Sequence, residues 1–502
     1  MTVEGWLARI EEFVERGDMA GRLDAIKAGL ADHPDEPQLL FALAAFLRAV
    51  ELHGEAVAIY ETLLARMPES LAVLHNLGSA LAACGRTDEA RRLLRRRVQR
   101  APEDAGGWLA LAEVMVEDGW GEAEAAFRMA VSLRPDDPRT LVNYAEALID
   151  TNRFEAAACL LRRALDLSPQ DGGIAFNLAN VDFARGAFQS GLQAFEGRLG
   201  PHSPNRIVRS LSMPRWDGGM LAGRHIFILA EQGIGDQLWW APFVRQAVSE
   251  AGRATIEVAP KLVSLYRASF PDSRVIPLAA ERRNGLWIAS GESRTGPDCA
   301  DVYCETGSIP LYRWNAVMGF PSGPALRPSD AVIHLWSDWL ARETEGPRVG
   351  ICWRSHLLRG GRGREYLRLS SFAQALRGMD VSLISLQIGD IRAERASLWA
   401  DAGLHVVEVP GLDLLDDVEG VAGLIHGLDA VVTTATWIAR LASALGKPTL
   451  ILGNTPWMAQ IDGREPAHPM AKTIYPDLNR SWPEGVIAAA AAMAPDLLTG
   501  RW

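Results

Sequence analysis

The stretch Pro68–Pro102, with the sequence PESLAVLHNLGSALAACGRTDEARRLLRRRVQRAP, returns with small changes along the first 200 residues of the chain. The prolines that mark each return lie 34, 34, 33 and 34 residues apart. They are Pro34, Pro68, Pro102, Pro135 and Pro169. Self-similarity at a fixed period indicates one structural unit that is stacked several times along the chain.

The residues inside each period follow the pattern of tetratricopeptide (TPR) helix pairs, whose period is about 34 residues. With each proline at position 32, small residues recur at positions 8 and 20, and mostly large apolar residues recur at positions 4 and 24. The small set is Ala44, Gly78, Ala112, Ala145, Ala56, Ala90, Ala123 and Ala157, and the large set is Leu40, Leu74, Trp108, Leu141, Tyr60, Leu94, Phe127 and Leu161. Trp6 fits a degenerate first unit, and a last unit runs through Phe176, Phe183 and Phe195. The sequence therefore predicts a TPR α-solenoid over residues 1–200.

Such solenoids usually bind protein segments in a concave groove that is lined by the first helix of each unit. Position 6 of that helix is Asn76, Asn143 and Asn177 in three units, but Ala42 and Ala110 in two others. Asparagine can both donate to and accept from an extended peptide backbone. Two interpretations stay open: a broken row of binding asparagines, or asparagine that is simply tolerated at exposed positions.

The bulk composition bounds the class of protein. A chain of 502 residues implies two or three domains, and a net charge of −11 argues against a general nucleic-acid binder. We see no basic segment followed by an apolar run and no long apolar window, so we expect a cytoplasmic protein without a membrane span. The five cysteines are scattered; Cys299 and Cys304 lack a second pair, so no metal site is predicted.

Beyond the repeats, residues 201–224 are rich in proline and glycine and are predicted to be a linker. Short apolar runs then alternate with helical stretches in two series, at residues 225–330 and 331–502. The runs are His225–Ala230, Thr255–Ala259, Arg274–Leu278 and Asp301–Glu305 in the first series, and Arg348–Trp353, Val381–Gln387, Leu404–Val409, Ala430–Thr434 and Pro448–Gly453 in the second. This alternation predicts two Rossmann-like α/β lobes with a cleft between them, with ligands at the carboxyl ends of the strands.

The first loop that could carry chemistry is Glu231-Gln232-Gly233-Ile234-Gly235-Asp236, directly after a predicted strand and before a helix from Gln237. Glycines there permit a tight turn, and the helix N-terminus offers free N–H groups. A carboxylate in an interlobe cleft could act as a general base, because burial can adjust its pKa. Alternatively, Asp236 could cap the helix that begins at Gln237.

Together with Pro214-Arg-Trp-Asp-Gly218, this loop resembles the start of TPR-fused transferases related to ADP-heptose heptosyltransferases of glycosyltransferase family 9. The resemblance implies a GT-B fold, with an acceptor-side lobe at 225–330 and a donor-side lobe at 331–502. It also implies that Asp236 deprotonates the acceptor hydroxyl, and that Glu231, Gln232, Gly233, Gly235 and Gln237 form the acceptor-side loop. In layout the chain is most similar to the TPR-containing flagellin glycosyltransferases of alphaproteobacteria, and its asparagine row resembles the ladder of TPR-containing O-GlcNAc transferases.

Further loops supply candidate donor-binding residues. Gly350-Ile-Cys-Trp-Arg-Ser355 ends the first strand of the second series and precedes an arginine-rich stretch; guanidinium groups there could pair with a donor phosphate. Candidates from this stretch and from the next loop, Leu386–Asp390, are Trp353, Arg354, Ser355, Arg362, Arg364, Gln387 and Asp390. Asp416 and Asp417 precede a helix and could either cap it or bind.

The last candidate loop, Thr433-Thr-Ala-Thr-Trp437, combines a strand end, hydroxyl side chains and a helix N-terminus, as a phosphate-binding loop does. Its candidates are Thr433, Thr434, Thr436 and Trp437, together with Asn454 after the next strand. Heptosyltransferases have Asp-Thr where this chain has Ala435-Thr436, and a histidine later on the helix where this chain has Arg440, so the resemblance leaves the donor open.

The predicted function is therefore metal-independent, inverting O-glycosyl transfer from a nucleotide sugar to Ser or Thr of a protein held by the TPR groove. No Asp-x-Asp metal motif and no cofactor fingerprint is present. Flagellin as acceptor, and a CMP-linked nonulosonic acid such as pseudaminic acid as donor, follow from the resemblance alone. The alternatives are a non-catalytic TPR adaptor with a degenerate transferase domain and a transferase for surface polysaccharide.

Overall fold

The computed structural model describes residues 1–116, 119–200, 203, 206–231, 233–283, 286–289, 300–314, 323–355, 369, 376, 380–453, 465–474 and 496–498, and its helices and strands are numbered over these residues. The chain divides into two compact units, Met1–Ala147 and Leu148–Trp502.

The first unit consists of helices packed in consecutive pairs. Its helices are α1 Val3–Arg16, α2 Met19–Asp32, α3 Pro37–Ala49, α4 His53–Arg66, α5 Leu71–Ala83, α6 Thr87–Arg100, α7 Ala105–Met115 and α8 Trp120–Leu133, and α9 Pro138–Asp150 runs across the division. Several begin at the capping residues that such helices prefer; Ser70, for example, accepts from the backbone N–H of Val73 at the start of α5. The predicted TPR helix pairs are confirmed.

The small residues at positions 8 and 20 allow the paired helices to approach closely. A Cβ atom placed on Gly78 of α5 would lie 2.7 Å from Cγ of Leu94 on α6, a distance that real Cβ atoms do not adopt. Leu94 and Tyr60 at position 24 are completely buried, as are Ala44 and Ala56. Leu40 and Trp108 at position 4 remain partly exposed.

The second unit opens with a further three helices, α10 Phe154–Leu167, α11 Gly172–Ala184 and α12 Phe188–Phe195, and a 3-10 turn over Glu196–Leu199. A parallel four-stranded sheet of order β4-β3-β2-β7 follows, together with a small three-stranded sheet of order β1-β6-β5. The strands are β1 Ile207–Val208, β2 His225–Leu229, β3 Arg253–Val258, β4 Arg274–Pro277, β5 Ala280–Arg283, β6 Leu286–Ala289 and β7 Val302–Glu305. The helices around them are α13 Ile234–Trp239, α14 Ala241–Glu250, α15 Val263–Ser269 and α16 Ile309–Arg313.

The remainder is built on a six-stranded parallel sheet of order β10-β9-β8-β11-β12-β13. Its strands are β8 Arg348–Cys352, β9 Ser382–Ser385, β10 Val406–Val407, β11 Ala430–Thr434, β12 Thr449–Leu452 and β13 Ala471–Ile474, and its helices are α17 Asp330–Glu343, α18 Arg392–Ala402, α19 Val418–His426 and α20 Trp437–Ala444. In chain order the strands read 3-2-1-4-5-6, the doubly wound order in which ligands bind where the order reverses. Here that point lies between β8 and β11, and in the four-stranded sheet it lies between β2 and β7.

One continuous apolar core corrects the boundary that the sequence suggested at residue 200. Phe183, Phe188 and Phe195 of the last helix pair share this core with Trp240 and with the helices around both large sheets. Trp216, inside the predicted linker 201–224, is 1% exposed in the same core. Through these aromatic side chains, the last repeat and residues 206–224 belong to the α/β unit. By sequence composition alone they look like the end of the repeats and a linker.

All nine predicted strands are present, with ends that differ by at most a few residues. The sequence analysis did not identify β13 or the small sheet of β1, β5 and β6. β5 reads Ala-Glu-Arg-Arg and β13 is interrupted by Lys472, so neither forms a continuous apolar run, and β1 contributes only two apolar residues.

Candidate functional site

The loop after β2 leads directly into α13, which begins at Ile234 and so three residues earlier than predicted. Gly233 has a φ of 89°, and a Cβ atom there would lie 2.7 Å from Oδ2 of Asp236. Glycine therefore both permits the turn and leaves room for the carboxylate. Asp236 lies inside the first turn, and no side chain caps α13, so the alternative that Asp236 is a helix cap is wrong.

The carboxyl group of Asp236 is poised to exchange a proton near neutral pH. Its pKa is raised to about 7, chiefly because burial disfavours the charged form, and the neighbouring Glu231 adds to the effect. Arg440 and Arg198 act in the opposite direction. A general base is most effective when its pKa lies near the working pH.

Asp236 lines a cavity of about 950 Å³. The cavity is bounded by the N-terminus of α11, the 3-10 turn after α12, residues 206–215 and the carboxyl ends of β2 and β7. The described residues that line the cavity come from the last repeat and the first lobe, whereas the prediction placed Asp236 in a cleft between the two lobes. Asp236 nevertheless lies beside the second lobe, because α13 packs directly against α20 and the charge of Arg440 acts on the Asp236 carboxyl group.

Charged side chains fix the wall of the cavity. Glu231 receives two hydrogen bonds from Arg198, at 2.6 and 3.1 Å, and one from the backbone N–H of Gly307. Arg215 donates to Glu305 at 2.8 Å and to Glu196 at 2.6 Å. These bonds join the turn after α12 to the ends of β2 and β7.

Gln237, predicted to belong to the acceptor-side loop, is buried and performs a structural role. Its Nε2 donates to the backbone oxygen of Glu231, and its Oε1 accepts from the backbone N–H of Ala259 at 2.9 Å. The predicted loop residue Gly235 faces the second lobe, since a Cβ atom there would lie 3.9 Å from Cγ of Arg440. Gln237 thus holds the Asp236 loop against the end of β3.

A buried polar cluster that the sequence did not reveal connects α13 to α20. Glu465 accepts from Trp239 Nε1 at 3.0 Å, from Arg440 Nη1 at 2.7 Å and from Thr473 Oγ1 at 2.8 Å. His468 donates from Nε2 to the backbone oxygen of Trp239, and burial lowers the pKa of His468 to about 4, so its ring is neutral at pH 7. This cluster holds Arg440 one helical turn beyond Thr436.

At the end of β8, Trp353 and Arg354 both contact Glu394. Arg354 forms a two-pronged ion pair with Glu394, with both nitrogen–oxygen distances at 2.8 Å. Trp353 is 1% exposed and lies in the apolar core, with Nε1 donating to Glu394 at 3.2 Å. The expectation that Trp353 contacts a donor is therefore wrong; Arg354 remains partly exposed, with Nη1 free of hydrogen bonds in the described part of the chain.

The loop after β9 is built around Gln387, which is buried. Its Oε1 accepts from the backbone N–H groups of Trp353 and Arg354, and its Nε2 donates to the backbone oxygen of Arg354. Gln387 therefore orders the loop that carries Arg354. Its amide is already used by these hydrogen bonds, so the prediction that it contacts a donor is wrong. Asp390 is exposed and paired with Arg392, which holds the pKa of Asp390 below its usual range.

The loop after β11 approaches the loop after β8 through Cys352. The thiol lies 4.0 Å from Thr436 Oγ1 and donates to the backbone oxygen of Arg354. Thr436 is the N-cap residue of α20 but makes no side-chain cap bond, and Thr436 and Trp437 are half-buried. Thr433 and Thr434 are fully buried, and the Thr434 hydroxyl has no hydrogen-bond partner among the described residues. Arg354 and Thr436 thus lie at one edge of the sheet.

Some predicted residues lie outside the described part of the chain: Gln232, Arg362, Arg364 and Asn454. Ser355 is half-buried at the last described position before residue 356. Asp417 accepts from the backbone N–H of Gly420 and caps α19, whereas Asp416 pairs with Lys261.

The asparagines of the predicted groove differ in their partners. Asn76 donates to the backbone oxygen of Ala72 on its own helix, and Asn143 donates to Glu113 at 3.2 Å. Asn177 lies on α11 and is half-buried. Burial raises the pKa of the Glu113 carboxyl, the group that the Asn143 amide contacts.

Within the ranges that the structure describes, no three His, Cys, Asp or Glu side chains come together as a metal ion would require. A search of the same ranges for a helix long and apolar enough to cross a membrane found none.

Comparisons with known proteins support the repeats and extend into the α/β region. The family model for the TPR domain of cytochrome c-type biogenesis protein H matches residues 87–200, and a tetratricopeptide repeat model matches residues 47–114. The chain is 29% identical to Protein FlbA of Caulobacter vibrioides over 454 residues, which cover 88% of this chain and 76% of that protein. It is 30% identical to cellulose synthase 2 operon protein C of Komagataeibacter xylinus over 166 residues, 32% of this chain and 12% of that protein.

Among solved structures, a thermophilic TPR protein of Thermus thermophilus matches with 23% identity and a TM-score of 0.34. That match covers 36% of this chain and 98% of the other. The family models and the helix pairs agree on the N-terminal part, and the sheets define the rest. The chain carries tetratricopeptide repeats in its N-terminal part, and these are followed by an α/β region of parallel sheets.

Proposed function

We propose that the chain is a metal-independent protein O-glycosyltransferase of GT-B type. In this proposal the repeats hold a protein acceptor, the first lobe activates a Ser or Thr hydroxyl, and the second lobe binds a nucleotide sugar. The single observation that carries the proposal is Asp236: a carboxyl group with a pKa of about 7, at the point where the strand order reverses, facing a cavity large enough for a substrate.

The donor side of the proposal rests on the edge formed by β8 and β11. Arg354 and the N-terminus of α20 flank this edge, and both can bind phosphate oxygens, the arginine through its guanidinium and the helix through free N–H groups. A leaving phosphate stabilised in this way needs no metal ion.

The proposed reaction is a single displacement. The Asp236 carboxylate removes the proton of the Ser or Thr hydroxyl while the hydroxyl oxygen attacks the anomeric carbon of the sugar. The new carbon–oxygen bond forms as the bond between that carbon and the nucleotide phosphate breaks, and the nucleotide leaves with the electron pair. Attack from the side opposite the phosphate inverts the anomeric configuration.

The finer identity of the substrates comes from the resemblance described above. Flagellin is the proposed acceptor, and a CMP-linked nonulosonic acid such as pseudaminic acid is the proposed donor. The 29% identity to Protein FlbA extends over 454 residues and so includes both the repeats and the lobes.

Nucleotide binding by the full chain tests the donor side. CMP, ADP, UDP and GDP are each added in a thermal-shift assay, and we expect one of them to raise the melting temperature. The variant Arg354→Gln should bind that nucleotide about tenfold more weakly, since a charge-assisted hydrogen bond is lost. Arg395→Gln, which changes an arginine that is paired with Glu408 and is not a candidate donor-binding residue, serves as the matched control.

A non-catalytic TPR adaptor is the second candidate, and one observation favours it. The Arg354 guanidinium is already held by Glu394 through two hydrogen bonds, as a structural arginine would be. If no nucleotide changes the melting temperature, and intact-mass analysis finds no sugar on flagellin mixed with the chain and CMP-pseudaminic acid, the adaptor replaces the transferase.

A further inference from the structure

The cavity beside Asp236 has a chemical preference that its lining residues reveal. Four arginines and three carboxyl groups line it, and the carboxyl group of Asp236 is partly protonated at pH 7 because its pKa is about 7. Glu231 and Glu305 are each bound by an arginine, Arg198 and Arg215 respectively. The negative charges of Glu231 and Glu305 are therefore balanced by these arginines, and Asp236 is the remaining acidic group of the described wall.

The hydrogen-bond donors of the wall are not all used. The half-buried side chain of Arg206 forms no ion pair or side-chain hydrogen bond in the part of the chain that the structure describes. Arg209 is 10% exposed and uses Nη2 for Ala230 and Glu257, but its Nη1 has no partner within the same ranges. Trp240 is 1% exposed, and its Nε1 likewise has no described partner. A ligand that supplies acceptor atoms here would satisfy donors that protein interiors rarely leave unpaired.

The remaining walls suggest the kind of molecule that carries these acceptor atoms. Gly172, Gly173 and Phe176 belong to α11, the first helix of the last repeat, and first helices line the peptide-binding face of such repeats. Phe195, Leu211 and Met213 add apolar surface. A polypeptide segment offers what this mixture needs: apolar side chains, backbone carbonyls and one ionised side chain.

We propose that this cavity is the acceptor subsite, and that it takes a polypeptide segment in which the modified Ser or Thr is accompanied by a nearby Asp or Glu. Arg206 binds the carboxylate, Arg209 and Trp240 bind acceptor atoms of the same segment, and the hydroxyl lies at Asp236. This inference rests on the proposed transfer to a protein hydroxyl, and it adds the chemistry that selects the acceptor.

Peptide binding by the full chain tests the inference without any sugar donor. Peptides that carry one Ser or Thr are synthesised on an array. Each is made in three versions that differ only in one residue near the Ser or Thr, which is Asp, Asn or Ala. We expect the wild type to bind the best Asp peptides roughly tenfold tighter than their Asn versions, because one charge-assisted hydrogen-bond pair is lost. Arg206→Gln should abolish this preference, and Arg206→Lys should keep part of it, since the charge stays but the two-pronged geometry is lost.

Arg274→Gln is the matched control, because Arg274 is exposed on β4 and does not line the cavity. Arg206 has no described side-chain partner, so Arg206→Gln should melt as the wild type does. Equal binding of Asp and Asn peptides by the wild type, or an unchanged preference in Arg206→Gln, would overturn the proposal. It would also be overturned if Arg206→Gln weakened only the binding of a CMP-linked acidic sugar, because the carboxylate would then belong to the donor. Selective peptide binding without transfer from any nucleotide sugar would instead leave this subsite in place and remove the proposed function.

Discussion

Replacing Asp236 by Asn should stabilise the protein above neutral pH while removing its proposed catalytic base. In the folded chain the pKa of Asp236 is about 7, against an ordinary value of 3.8. Well below pH 4 the carboxyl group is protonated in both the folded and the unfolded chain, so it does not affect the free energy of unfolding there. As the pH rises from about 4 to 7, the unfolded chain ionises first, and the folded state loses stability relative to it.

The size of this loss follows from the difference between the two pKa values. About three pKa units correspond to at most about 4 kcal/mol. Because Asp236 is only half-buried and solvent screens its charge, we expect about 2 kcal/mol. In a chain of this size that free energy changes a melting temperature by roughly 2 to 4 °C.

The assay is thermal unfolding followed by tryptophan fluorescence at a series of pH values between 4 and 8. The melting temperature of Asp236→Asn minus that of the wild type should be near zero at pH 4, rise towards pH 7 and stay level above it. Asp272→Asn, which changes an exposed aspartate of the same lobe, should show no such rise. A difference that is flat with pH would refute the assignment of a raised pKa to Asp236.

Three further changes test the structure elsewhere. Arg198→Met should lower the free energy of unfolding by about 3 kcal/mol, since it leaves the partly buried carboxylates of Glu196 and Glu231 without this guanidinium. A change in melting temperature equal to that of a surface substitution would contradict this. Gly78→Val should lower it by about 1–3 kcal/mol because Leu94 must move, whereas Gly54→Ala, with open space around it, should be neutral or stabilising in the same circular-dichroism melt. Glu465→Gln should weaken the contact between α13 and α20, so the full-length variant should be cleaved faster than the wild type in limited proteolysis. Cleavage at the wild-type rate would argue against this role of Glu465.

The sequence could predict what depends on local spacing. The 34-residue period, the helix pairs and the alternating strands are repeated patterns, and each is specified by residues only a few positions apart. The same logic located Asp236, Arg354 and Thr436 at strand ends, since a loop that follows an apolar run in a doubly wound sheet lies at its carboxyl edge. The two interpretations of the groove asparagines could not be resolved in this way.

What could not be predicted depends on partners far away along the chain. Glu465 lies 226 residues from Trp239, and Ser308 lies 110 residues from Arg198. A single glutamate or serine in a loop carries no spacing signal that would connect it to such a partner. The same limitation explains Trp353: a tryptophan after a strand can face a ligand or the core, and only the packing of α18 and Glu394 decides between them.

The aromatic core that joins Phe183, Phe188 and Phe195 to Trp240 determines where this chain could be divided or recombined with a relative. Removing residues 1–200, where the repeat pattern lies, would expose apolar surface on the lobe that carries Asp236. It would also remove Glu196 and Arg198, whose ion pairs connect the last repeat to that lobe. A chimaera that exchanges the proposed acceptor specificity should therefore be spliced in the turn after α9, at residues 151–153, and keep the final helix pair with its native lobe.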